Sequence, residues 1–130
     1  MAGAAGAARV IVGVAGGIAA YKAASLVRLF TEAGSDVTVI PTAAALRFVG
    51  APTWEALTGH PVATEVWDDV PAVTHVRLGQ TADLIVVAPA TADLMAKAAQ
   101  GRADDLASTL LLATDTPILM APAMNVRMWE

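Results

Sequence analysis

The 130-residue chain is predicted to be an α/β domain, a three-layer, doubly wound parallel sheet. Three observations predict it. Short β-branched runs alternate with stretches of helical period, which is the pattern of parallel strands joined by helical crossovers. The runs at 84–88 (LIVVA) and 118–121 (ILMA) are apolar throughout, as strands covered on both faces must be. Glycine, proline, aspartate or threonine breaks each run, so no apolar stretch approaches the roughly 20 residues of a membrane span.

Arg9–Val14 (RVIVGV) reads as the first strand, Ala15-Gly16-Gly17 as a turn, and residues 18 to about 32 as a helix. Gly34 is placed to end that helix, because glycine reaches the left-handed conformation without a Cβ clash. Residues 36–40 (DVTVI) return as a second strand at crossover distance, so the first 40 residues form βαβ. The segment 41–73 is less regular, with a helix around 43–49 and then Pro52, Pro61 and Pro71 marking loops. Strands at 84–88 and 118–121 enclose two helices, 93–100 and 104–113, parted by Gly101 and each opening on an acid able to cap free amides. Residues 1–8, alanine and glycine without a basic flank, are expected to be a disordered leader, leaving 9–130 as the domain.

Composition excludes several functions. Twelve acidic against eight basic side chains give a net charge of −4 with no basic cluster, so neither nucleic acid nor a membrane is an expected partner. The chain has no cysteine and only two histidines, His60 and His75, which leaves no expected metal site. A cytoplasmic location fits this composition.

Ligands of open parallel sheets bind beyond the carboxyl ends of the strands, so the loops after each strand carry the expectation. In the first, Gly13, Gly16 and Gly17 allow a tight turn into a helix start that favours an anion. The string GVAGGI at 13–18 departs from the dinucleotide fingerprint, and no Walker lysine follows. A mononucleotide phosphate therefore fits better than NAD or ATP, although the same glycines could serve the turn alone. Thr42 could add a hydroxyl to that anion site or simply cap the next helix, and Thr91 and Asp93 stand in the same position after the third strand. His75 offers an imidazole that titrates near neutral pH, against a structural or surface role. His60 has the setting of a turn residue. After the fourth strand, the Asn125 amide can donate to a carboxylate, while Met124, Met128 and Trp129 offer soft apolar surface for a flavin ring or substrate. A helix start with core methionines would leave the same string.

Together, GGIAAYK at 16–22, His75, APATAD at 88–93 and PAMNxxMW at 122–129 resemble the homo-oligomeric flavin-containing cysteine decarboxylase family. Within it they are most similar to the phosphopantothenoylcysteine decarboxylase domains of bacterial bifunctional enzymes. The resemblance implies a flavodoxin-like or Rossmann-like fold with FMN at a subunit interface of a trimer or dodecamer. It implies cofactor binding by Gly16, Gly17, Ile18, Thr42, Thr91, Ala92, Asp93 and Ala123, substrate binding by Asn125 and Met128, and catalysis by His75. The implied reaction converts 4′-phosphopantothenoylcysteine to 4′-phosphopantetheine in coenzyme A biosynthesis. Flavin oxidation of the thiol to a thioaldehyde provides the electron sink for loss of carbon dioxide. A cysteine on a later flap then supplies a proton, and since this chain has none, the expectation is a domain continuing past Glu130, with a phosphopantothenate–cysteine ligase domain beyond. An oxidative peptidyl-cysteine decarboxylase, which needs no flap cysteine, and a non-catalytic flavin-fold regulatory subunit are the alternatives.

Overall fold

The computed structural model describes residues 7–62, 64 and 81–130. Its elements run β1 (Arg9–Val14), α1 (Ala20–Glu32), β2 (Asp36–Pro41), a 3₁₀ turn (Ala45–Arg47), α2 (Ala51–Thr58), β3 (Leu84–Ala90), α3 (Ala92–Gln100), α4 (Leu106–Ala113), β4 (Ile118–Pro122) and α5 (Val126–Trp129). The strands form one parallel sheet in the order β2-β1-β3-β4. The predicted α/β class and doubly wound sheet are therefore observed.

Alternation along the strands sends side chains to two separate cores, which is what makes three layers. Val10, Val12 and Val14 of β1 pack with Val37 and Val39, with Ala20, Ala23 and Val27 of α1, and with the fully buried Trp54 of α2. On the opposite face Ile11 and Ile85 meet Leu106, Ala107 and Leu110 of α4. Nearer the carboxyl end, Val87 and Ala90 meet Leu94 of α3. Both faces of β1 and β3 are thus covered, and their apolar runs follow from that.

Several expected boundaries move, each for a local reason. Helix α1 starts at Ala20 because Gly17, Ile18 and Ala19 form a tight turn, with the Ala20 amide donating to the Gly17 carbonyl at 2.9 Å. Its end is as predicted: Gly34 takes a φ of 93°. The helix expected at 43–49 is only a 3₁₀ turn. Pro52, expected in a loop, lies in the first turn of α2, where its missing N–H has no helical partner to lose. That helix is anchored by Trp54, whose indole donates to the Val49 carbonyl at 3.2 Å. Pro61 does lie in a loop, and Pro71 falls outside the described residues. Strand β3 extends two residues further than expected, through a register irregularity between Val87 and Ala90 that contains a cis Ala88–Pro89 bond. No helix among the described residues is long and apolar enough to cross a membrane.

Candidate functional site

The carboxyl edge of the sheet is stitched strand to strand just past the ladders. The amide of Thr42 donates to Val14 at 2.9 Å, that of Ala15 to Pro89 at 3.2 Å, and that of Ala123 to Ala90 at 3.1 Å. Four loops are thereby held side by side, and they enclose a cleft of about 740 Å³. Gly16, Gly17 and Ile18 line it from the first loop, Thr42 from the second, Thr91, Ala92 and Asp93 from the third, and Ala123, Asn125 and Met128 from the fourth. One cleft gathers the cofactor- and substrate-binding residues implied by the resemblance; Gly13 and Trp129 stand apart from it, and His75 lies outside the described residues.

The loop glycines serve space rather than dihedral freedom. Neither Gly16 nor Gly17 has a positive φ. A Cβ on Gly16 would overlap the Ala44 Cβ and stand 3.0 Å from its carbonyl carbon, a contact no side chain can make. A Cβ on Gly17 would lie 3.3 Å from the Thr91 methyl. Gly13, expected to help the turn, instead sits inside β1, paired with Ile40 and Val87, and a Cβ there would meet only ordinary contacts.

The start of α1 is chemically open. Ala19, its N-cap, has no side chain that could cap the helix, and the first turn holds no acid. Among the described residues the amides of Gly16, Ile18 and Ala19 find no acceptor. Unsatisfied amides at the positive end of a 13-residue helix are a favourable place for an anion. Two hydroxyls flank it. Thr42 accepts from the Ala45 amide at 3.1 Å and Thr91 from the Leu94 amide at 3.3 Å, so each acts as a cap and keeps its own proton to donate. The capping and anion-binding readings of these threonines are compatible.

Asn125 caps the short α5, its Oδ1 accepting from the Arg127 amide at 2.9 Å. Its side-chain NH₂ remains a donor at the cleft wall. Met124 and Met128 both line the cleft, Met128 being largely exposed. Trp129 does not join them; it lies with Pro122, Met124 and Val126 around a separate shallow groove.

Sequence reasoning missed two ionisable groups of this cleft, Lys97 and Asp105. Of the two residues read as possible caps of α3, Thr91 caps it and Asp93 does not, and at α4 the cap is Asp105 rather than Asp104. Asp93 instead lies in the first turn, where its carboxylate meets Lys97 Nζ at 3.2 Å; the same ammonium is 3.4 Å from Asp104. The hydrogen bond to Asp93, with the charges of both aspartates, raises the Lys97 pKa above the ordinary lysine value against the opposing effect of burial. The four-residue spacing of Asp93 and Lys97 was the available signal. His60 pairs with Asp36 at 2.7 Å, at the start of β2 and so at the far edge of the sheet from the cleft. No cluster of three potential metal ligands occurs among the described residues.

A parallel sheet in this order, with an anion-receptive helix start beside a partly apolar cleft, defines the class of doubly wound α/β proteins that bind phosphate-bearing ligands beyond the strand ends. The sequence profile of the flavoprotein family matches residues 3–130, and the chain belongs to that family. It is 66% identical over 121 residues to the coenzyme A biosynthesis bifunctional protein CoaBC of Mycobacterium tuberculosis, a match covering 93% of this chain and 29% of that protein. The chain thus spans under a third of the length of the curated relatives it matches. Among solved structures, the FMN-dependent cysteine decarboxylase SpaF superposes with a TM-score of 0.87 at 36% identity, covering 95% of this chain and 72% of that one. A PPC decarboxylase mutant complexed with pantothenoylaminoethenethiol gives 0.83 at 30% identity, covering 95% and 70%.

Proposed function

We propose that this chain is the FMN-binding part of a phosphopantothenoylcysteine decarboxylase, acting in coenzyme A biosynthesis within a cytoplasmic, homo-oligomeric bifunctional protein. The observation that carries the reading is the open start of α1 beside the Thr42 and Thr91 hydroxyls, in the cleft that also holds Asn125. The residues present fit a flavin mononucleotide. The amides of Gly16, Ile18 and Ala19 with the two hydroxyls suit a phosphate. Ile18, Ala92, Leu94, Ala123 and the methionines give the apolar wall a ring system needs.

Bound FMN supplies the two-electron oxidation of the substrate thiol that makes the adjacent carboxylate a feasible leaving group. The chain's own part is to hold and to move protons. The Asn125 NH₂ donates to the substrate carboxylate, fixing it in register, while Met128 covers the substrate against water. His75 takes the thiol proton as the carbon–sulfur bond becomes a thioaldehyde; carbon dioxide then leaves, and the electron pair stays on the substrate as an enethiolate. This role for His75 rests on the family motif.

The test uses full-length protein and phosphopantothenoylcysteine. His75→Asn should retain FMN and assembly while losing about 10²- to 10⁴-fold in the rate of carbon dioxide release, the usual contribution of an acid–base group. Decarboxylation at the wild-type rate would remove His75 from the mechanism. The likeness to SpaF favours a second reading, oxidative decarboxylation that stops at the enethiol. The mass of the product separates the two, because only phosphopantetheine carries the two returned hydrogens.

A further inference from the structure

Resting on the reading of the cleft as a flavin phosphate site, we infer that Lys97 is a positioning residue whose charge cancels the Asp93 carboxylate and so keeps the start of α3 receptive to an anion. Among the described residues three ionisable groups line the cleft: Asp93, Lys97 and Asp105. An anionic ligand is drawn to the open amides and repelled by both carboxylates. Their situations differ. Asp105 is engaged by α4, its Oδ1 accepting from the Ser108 amide at 2.8 Å and the Ser108 hydroxyl at 2.6 Å. Asp93 has one partner among the described residues, Lys97. Asp104, which shares Lys97, also has Arg102 at 3.9 Å.

Asp93 stands where an unscreened negative charge would matter most. It occupies the first turn of α3, and among the described residues the amides of Ala92 and Asp93 itself have no acceptor. A carboxylate there competes with a ligand anion for the same positive helix end. Lys97, one turn on, draws the carboxylate toward itself and neutralises it, so the backbone of Asp93 can serve the ligand while its side chain does not oppose it. The Lys97 side chain is 23% exposed and that of Asp93 77%, so solvent and salt screen much of this compensation and its effect is modest.

The experiment is FMN titration of the full-length apoprotein, followed by flavin fluorescence at low and high salt. Lys97→Met should weaken binding by about 3- to 10-fold at low salt, as expected of one uncompensated charge near the ligand, and the deficit should shrink as salt is raised. Asp93→Asn combined with Lys97→Met should return binding to near the wild-type value, and Lys97→Arg should retain it. Unchanged binding in Lys97→Met overturns the inference. A double variant as weak as the single one also overturns it, because the lysine would then touch the ligand or hold the fold. Should Lys97→Met not fold, Asp93→Asn decides, its side chain being 77% exposed. Tighter binding that fades with salt supports the inference, and equal or weaker binding overturns it. Wild-type protein that takes up no FMN overturns the flavin reading itself, and the inference with it.

Discussion

Helices α1 and α4 both begin at the rim of the same cleft, yet their first turns are built in opposite ways. At α4, Asp105 and Ser108 form a reciprocal capping box, and Ser108, only 2% exposed, is bonded on every side by Asp104 and Asp105. At α1 no side chain caps, no acid lies in the first turn, and the approach is a bare glycine loop. A closed helix start serves stability; an open one keeps its amides for something else. Under the proposed function, two starts on one rim separate the part of the cleft that holds the fold from the part that would receive the flavin.

The contrast can be broken most severely at Gly16. Gly16→Val drives a side chain into the Ala44 backbone and should cost about 1–3 kcal/mol or more, the range for overpacking, together with flavin retention. Denaturant melts and the flavin content of purified protein would measure both. Asp105→Ala should come next, with a loss of about 1–2 kcal/mol as a removed N-cap, while residual folded protein still takes up flavin. Loss of flavin affinity without loss of stability would reverse the roles assigned to the two helix starts. Ala19→Asp sharpens the comparison from the other side. A carboxylate at the α1 start should stabilise the apoprotein by about 0.3–1 kcal/mol through the helix dipole and weaken FMN binding measurably.

The smallest effect is alkaline. Lys97 has a raised pKa in the folded chain, so the stability from its ion pairs is fully present below the unfolded lysine pKa. It is lost as pH rises through the higher folded value. Thermal melts across that window should therefore fall more steeply in the wild type than in Lys97→Met.

The strands were legible from their short apolar runs: Arg9–Val14 was read to the residue, and the strands beginning at Asp36, Leu84 and Ile118 to within two at their ends. The two-faced burial expected of both apolar runs holds for β3 but not for β4, an edge strand whose Ile118 and Leu119 are exposed. The cleft followed from the strands, since topology dictates which loops meet. What escaped reading depends on relations between neighbours rather than on residue type. Pro52 breaks or begins a helix according to its place in the first turn, and Asp104 and Asp105 are equally good caps on paper until Ser108 selects one. Lys97 drew no notice in the sequence, and only the return of the chain to Asp104 places a second carboxylate beside it. Gly16 was noticed for the right loop, but its reason, the methyl of Ala44, is 28 residues away in sequence.

That Gly16–Ala44 contact also limits how this cleft can change. One partner has no side chain and the other a single methyl, so neither can shrink enough to make room for growth in the other, save by creating a second glycine. The wall formed by the first two loops is therefore close to a fixed point in sequence space, whereas Met124 and Met128 on the facing wall are long, unbranched and replaceable by residues of many shapes. Adaptation to a different acyl group or a differently substituted ring would accumulate on the methionine side, and the anchoring side would be inherited unchanged.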